Sequence, residues 1–387
     1  MAAPAGLKAP EKQVERLTER IGRERVDQQE QAVREFLDPP LMKKFESPIA
    51  RPPDLAVVEM DGGRLQTLDR GGSEAVAVAV AVAEASARRG HRRGDKIGLL
   101  MTMTGPVFAT GPCPEVPESF VDPTRVLKLA REIESAAAAA GGAVAEPIGA
   151  ASGSEEGIDP DAEWGPKPPV QTTAAGRGAW DEFRDVPAQA ARARGFAAAR
   201  RKAFAADGAA ANRSTHKKWF SEYVPILDFI HAPPYVSAAA TAGRPFRDGR
   251  PVYVRWVGLV WGGRVEGVVE ELTRRGTGPG LPRKDDPEAS PRKIVAEALS
   301  RLSNHQDRMC YDGYRRKGLP MTPSHMESTV KRFNRRVKGT EKFRSEEGSE
   351  AILKLRADHL SETEPLDAFW KKRQDAATGR RPYRRSG

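Results

Sequence analysis

Residues 55–67 read LAVVEMDGGRLQT. Leu55 to Met60 are mostly apolar and read as a buried strand. Asp61 follows at once, with Gly62 and Gly63 behind it. Two readings compete. Asp-Gly is a strong hairpin signal, so the acid can mark a turn and nothing more. Alternatively, it is a metal ligand carried to the tip of a central strand. Ligands of open α/β sheets collect at the carboxyl ends of strands, so the choice turns on whether other strands deliver acids in the same way.

Residues 202–235, KAFAADGAAANRSTHKKWFSEYVPILDFIHAPPY, repeat the arrangement twice. They parse as a strand over Lys202–Ala206, Asp207-Gly208, a helix over about Asn212–Phe220, a strand over Val224–Leu227, and the step Asp228-x-x-His231. Strands alternating with helices predict an α/β layer arrangement. Each acid also has a plain structural reading. Asp207 can form a turn or cap the following helix. Asp228 can be a helix cap beside a satisfied histidine, and one His with one Asp is too few for a metal claim.

A further carboxylate, Glu327, sits in PSHMESTVKRFNRR, residues 323–336. Ser324-x-x-Glu327 is a capping-box pattern at a helix start. The functional alternative is a third acid brought by this helix to the two strand tips, with Lys331 and Arg335 one and two turns further along the same face. Acids that must converge repel one another unless cations fill the site. Phosphodiester cleavage by two Mg²⁺ ions about 4 Å apart is chemistry that uses such a cluster, and Mg²⁺ favours carboxylate oxygens over His or Cys.

The composition fits a polyanionic partner. The 387 residues carry 63 Lys+Arg against 53 Asp+Glu, a formal net charge of +10. A basic surface binds phosphates by releasing their counterions; base composition of the source genome is the plainer origin of an Ala/Gly/Pro/Arg-rich chain. The two cysteines, Cys113 and Cys310, have no zinc-type spacing and imply no disulfide framework. No apolar run is long enough to span a membrane, and Met1–Pro10 has no signal-peptide pattern, so a cytoplasmic location is expected. No phosphate-binding loop of the G-x-x-x-x-G-K-[ST] type and no G-x-S-x-G elbow is present.

The chain divides into seven stretches. Residues 1–50 hold a charged helix over 11–37, read as an exposed or coiled-coil arm. Residues 51–133 form the first part of a core, including a strand over Lys96–Met103 preceded by the basic turn Arg92-Arg93-Gly94-Asp95. The run AVAVAVAVA at 75–83 reads as linker or weak strand. Residues 134–169 are low-complexity linker. Residues 170–245 continue the core, with a helix expected over about 180–200. Residues 246–317 are a helical insertion, including one long helix over about 291–316. Residues 318–372 hold C-terminal core helices, and 373–387 are a basic tail.

The ordered set of strand–Asp61-Gly62-Gly63, strand–Asp207-Gly208, Asp228-Phe229-Ile230-His231, a helical insertion and Glu327 on a late helix resembles bacterial insertion-sequence transposases of the DDE class, related to Mutator-like transposases. The blocks at 318–357, 204–220 and 224–232 carry most of the likeness. With HRRGDKIGLLMTM and FVDPTRVLKLAREIE, it covers much of residues 50–372. The resemblance implies a ribonuclease H-like mixed sheet with flanking helices, interrupted by an all-helical insertion. In that fold the catalytic strand ends at Asp61, Asp207 follows the fourth strand, and Glu327 comes from a helix after the insertion. It implies two Mg²⁺ ions, replaceable by Mn²⁺, with Asp61 bridging both and Asp207 and Glu327 each holding one. Asp228 and His231 match a C/D-x-x-H step that supports the site or contacts DNA.

The implied activity is cutting transposon ends and joining them to target double-stranded DNA, by a homo-oligomer on the nucleoid. Two alternatives stay open: a non-catalytic DNA-binding relic, and a ribonuclease H-like nuclease or resolvase. Residues 1–50 offer no zinc ligands and no helix-turn-helix for the DNA-binding module such transposases usually carry.

Overall fold

The computed structural model describes residues 10–40, 52–66, 92–122, 124, 165–277, 282–287, 290–321, 324–337 and 346–376. The run at 75–83, most of the stretch 134–169 and the end of the basic tail lie outside them. The fold is α/β, built on a five-stranded mixed sheet with flanking helices. The strands are β1 (Leu55–Gln66), β2 (Arg92–Thr104), β3 (Lys167–Gly176), β4 (Arg201–Ala206) and β5 (Val224–Leu227). They lie in the order β3-β2-β1-β4-β5. β1 pairs antiparallel with β2, and β2 with β3; β1 and β4 are parallel, as are β4 and β5.

β1 reads as a near-continuous apolar run because helices cover both faces of the sheet. Alternation sends Leu55 and Val57 to one face and Ala56, Val58 and Met60 to the other. All five are essentially inaccessible to water, each of the larger side chains contributing roughly 1.5–3 kcal/mol on burial.

The first face packs against α5 (Ala232–Thr241), the insertion helices α6 (Phe246–Trp261), α7 (Val265–Thr277), α8 (Pro291–His305) and α9 (Tyr311–Arg316), and the later helices α10 (Ser324–Val337) and α11 (Glu346–Leu360), with α12 (Pro365–Ala376) lying against α11. The second face meets α1 (Glu11–Leu37), α2 (Trp180–Phe183), α3 (Asp185–Ala193) and α4 (Ala210–Trp219). There Phe36 of α1 tilts against Trp219, ring centroids 5.0 Å apart.

Several expectations change on contact with the structure. β1 does not stop at Asp61: its ladder with β2 runs on through Asp61↔Ile97 and Gly63↔Asp95 to Gln66↔Arg92. Asp61-Gly62-Gly63 is therefore not a hairpin turn, and Arg92–Asp95 belong to β2 rather than to a turn. The parallel pairing of β1 with β4 does stop there, at Met60↔Ala206.

The helix expected over 180–200 is broken. α2 and α3 are short, and Gly195 adopts a left-handed φ of 67°, a conformation that glycine adopts without a Cβ clash. The helix expected over 291–316 ends at His305 and resumes only at Tyr311. Tyr311 and Tyr314 donate hydrogen bonds to the Leu227 and Pro225 carbonyls of β5, so the chain turns back onto the sheet. Pro233 and Pro234 sit in the first turn of α5, where missing N–H groups cost little.

The N-terminal helix is docked rather than free. Gly22 lies against Ala351 of α11, and Arg25 Nε reaches Asp358 Oδ2 at 2.8 Å. Val14 and Leu17 of its apolar stripe stay exposed.

Candidate active site

The sheet register places the acids. Met60, Ala206 and Leu227 form one row across the three parallel strands. The residues that follow are Asp61, Asp207 and Asp228; Asp207 and Asp228 lie just past the carboxyl ends of β4 and β5, and Asp61 lies within β1 at the point where its pairing with β4 ends. Neighbouring strands are about 4.8 Å apart, and parity with Val57, Ala205 and Ile226 puts all three positions toward the helical-insertion face.

The three carboxylates differ in surroundings. Asp207 is half-buried. Its Oδ1 accepts from the Ala209 amide at 3.0 Å and from Asn212 Nδ2 at 2.6 Å. The turn reading of Asp207 is thus correct for one oxygen; among the described residues Oδ2 has no hydrogen-bond partner. Asp61 is also half-buried. Asp228 is 1% exposed. Its Oδ1 accepts from the Ile230 amide and caps the 3₁₀ turn Phe229–His231, while His231 Nε2 lies 3.4 Å from its Oδ2. Asp228 therefore caps the turn that carries His231, as the helix-cap reading of the Asp-x-x-His step has it.

Glu327 lies in the first turn of α10; its side chain, like that of Arg335, is outside the described residues. The Ser324 side chain, on which the capping-box reading depends, also lies outside the described residues. Helix α10 packs against β1, and Met326, Thr329 and Phe333 are its buried residues on that side. Lys331 is half-exposed. Among the described residues no group of three or more His, Cys, Asp or Glu side chains is close enough to hold a metal.

Two groups at this edge have no counterpart in the sequence reading. Glu59 is two residues before Asp61 on the same face of β1 and is 1% exposed. Among the described residues neither carboxyl oxygen makes a hydrogen bond of good geometry. Burial pushes its pKa up to about 8, against a smaller opposing pull from the Met326 backbone amide. That amide belongs to the first turn of α10, where N–H groups have no partner within the helix. Glu59 thus marks where α10 crosses β1, one residue before Glu327. The sequence carries a signal for it: a charge inside an apolar strand, in phase with Asp61.

The second group is His305, the last residue of α8 and 4% exposed. A Cβ on Gly208 would fall 2.5 Å from its Nε2, so the imidazole lies directly on the Asp207-Gly208 turn. Burial pushes its pKa down to about 4, and Arg213, Arg308 and Arg301 add to the effect. No local pattern announces it, because the contact joins residues 97 positions apart (305 − 208).

A third feature is the buried ion pair between Arg177, which follows β3, and Asp95 of β2, at 3.4 Å. The Arg177 amide donates to Glu350 of α11 at 2.8 Å, fastening that helix over the outer strands.

Comparison of the chain with family models, curated proteins and solved structures gave no match. The reading of the site therefore rests on its own geometry.

Proposed function

We propose that the chain is a DNA transposase of the insertion-sequence type, acting through Asp61, Asp207 and Glu327. One observation carries the reading: Asp61 and Asp207, 146 positions apart in sequence (207 − 61), occupy neighbouring positions where the parallel pairing of β1 and β4 ends. Two features add support. Asp207 follows the fourth strand of a mixed sheet, and Glu327 belongs to a helix that comes after the helical insertion and packs on β1. A ribonuclease H-like arrangement requires both.

The donor set fits hard divalent cations. Asp61 and Asp207 offer carboxylate oxygens at one edge, and Oδ2 of Asp207 is uncommitted among the described residues. Asp61, Asp207 and Glu327 would hold two Mg²⁺ ions, which when bound supply activation of a nucleophilic oxygen and stabilisation of the leaving oxygen. The chain's own residues do the rest. The Asn212 amide and the Ala209 N–H fix the Asp207 carboxylate in one orientation. Asp228 and His231, paired at 3.4 Å just past β5, would support this edge. Lys331, and Arg335 one turn on, would follow the DNA backbone along α10. The net charge of +10 suits a double-stranded DNA partner, bound by a homo-oligomer in the nucleoid.

The test uses supercoiled plasmid carrying the DNA that flanks the gene. The full chain is expected to nick it with Mg²⁺ or Mn²⁺ and to join the freed 3′ ends to a second DNA; Asp61→Asn is expected to bind DNA as the wild type does and to lose cleavage by at least 100-fold, on the order of the loss expected when a metal-holding carboxylate goes. Cleavage without joining would assign a nuclease or resolvase. Binding with equal, negligible cleavage in both proteins would assign a DNA-binding relic.

A further inference from the structure

Beside Asp207 stands a concentration of positive charge that the carboxylate site does not use. Its base is His305, set on Gly208. Around it are Arg213 of α4, Arg301 of α8 and Arg308 of the 3₁₀ turn Gln306–Arg308, all close enough to act electrostatically on the imidazole. Asp307 acts with them in the opposite sense, and it is mostly exposed, 3.8 Å from Arg308 Nε. Arg213 and Arg308 also act on each other. Arg213 is the neighbour of Asn212, which holds Asp207. Among the described residues its side chain has no hydrogen bond or ion pair, and Nδ1 of His305 is buried without a partner.

Like charges gathered round a buried polar group destabilise the fold unless an anion neutralises them. Guanidinium groups match the planar, multi-oxygen face of a phosphate. We propose that Arg213 and Arg308, with His305 at their base, hold one phosphate of the nucleic-acid backbone beside Asp207. The inference rests on the nucleic-acid reading above and gives it a residue-level anchor. The carboxylates of β1 and β4 would receive the phosphate that reacts, and the arginine pocket a neighbour on the same strand. The pocket then sets the register of the strand at the cut rather than performing the cut.

The experiment measures binding of the full chain to a short fluorescently labelled duplex by anisotropy over a salt series, without divalent metal. The proteins are the wild type, Arg213→Gln, the double variant Arg213→Gln/Arg308→Gln and Arg247→Gln. Arg247, with its side chain 86% exposed at the start of α6, serves as a net-charge control. The double variant is expected to bind about tenfold more weakly and to show a salt slope shallower by about 1, the loss of one phosphate contact. Arg213→Gln alone should show part of the same change; it carries the test if thermal melting shows the double variant unfolded. Arg247→Gln should keep the wild-type slope.

Wild-type affinity and slope in the arginine variants would overturn the pocket while leaving the transposase reading intact. An equal change in Arg247→Gln would reduce the effect to net charge and also overturn it. Failure of the wild type itself to bind DNA would overturn the nucleic-acid reading and the pocket together.

Discussion

At the scale of single residues, the carboxyl edge of the sheet combines acids held for different ends. Asp207 divides its two oxygens between a turn and an open side, Asp228 spends both on its cap and on His231, and Glu59 is kept dry. Glu59 has a consequence for stability that the others do not. Its folded pKa of about 8 lies well above the ordinary carboxylate value of 4.5. Between those values the folded chain holds a proton that the unfolded chain has released. Linkage then makes stability fall as pH rises through that window. A shift of this size corresponds to roughly 4 kcal/mol at its upper end. Glu59→Gln keeps the shape and removes the titration. Chemical denaturation of the wild type should show stability declining from pH 5 to pH 8 relative to Glu59→Gln, with the variant the more stable of the two at pH 8. Parallel curves for the two proteins over that range would mean that Glu59 is ionised in the folded chain.

At the scale of elements, close approach of helix backbones decides which glycines matter. Gly22 lets α1 lie on α11: a Cβ there would fall 2.5 Å from the Ala351 carbonyl oxygen, and a backbone atom cannot move aside cheaply. Gly267 in α7 would put its Cβ only 3.5 Å from a Leu259 methyl. Gly22→Ala should therefore destabilise the chain by about 1–3 kcal/mol through overpacking and expose α1 to limited proteolysis. Gly267→Ala should stabilise it by about 0.5–1 kcal/mol through helix propensity. Thermal melts and a protease time course separate the two outcomes.

The same scale shows what sequence patterning can reach. β4 and β5 were legible to within a residue, because Lys202–Ala206 and Val224–Leu227 are short apolar runs closed by Asp. The long helix over 291–316 was not. Its break at His305 is imposed by tyrosines that reach β5, a tertiary demand that helix periodicity cannot express. Asp61 stands out because it follows an apolar run, but its local structure was misread. The glycines behind it read as a turn, whereas they continue a ladder whose partner strand begins 26 residues after Gln66 (92 − 66). The His305–Gly208 contact was illegible, since neither residue's neighbourhood carries any trace of the other.

At the scale of the whole molecule, the helical insertion and the sheet share one core. The apolar cluster on the first face runs from Leu55 and Val57 of β1 through Phe229 and Val236 to Trp261, Tyr311 and Leu353. Phe229 alone meets Phe120, Trp261 and Tyr311 edge-to-face at about 5 Å. Arg315 closes the junction. It is 1% exposed, donates to the Pro112 and Trp261 carbonyls at 2.9 and 3.0 Å, and lies over the Trp261 ring at 4.4 Å. The segment after β2, the end of α6 and the approach to α10 are thereby tied to one guanidinium. Arg315→Leu would leave two buried carbonyls without their donor, which costs roughly 2–6 kcal/mol. Because the insertion has no core of its own, that loss should lower the melting temperature of the entire chain. Tryptophan fluorescence, to which Trp256 and Trp261 beside the junction and Trp219 on the opposite face contribute among six tryptophans, should shift together with far-ultraviolet circular dichroism in a single transition. Two separated transitions, with the insertion melting first, would show that the helices over 246–316 fold as a unit apart from the sheet, and that α10 owes its position over β1 to something other than the shared core.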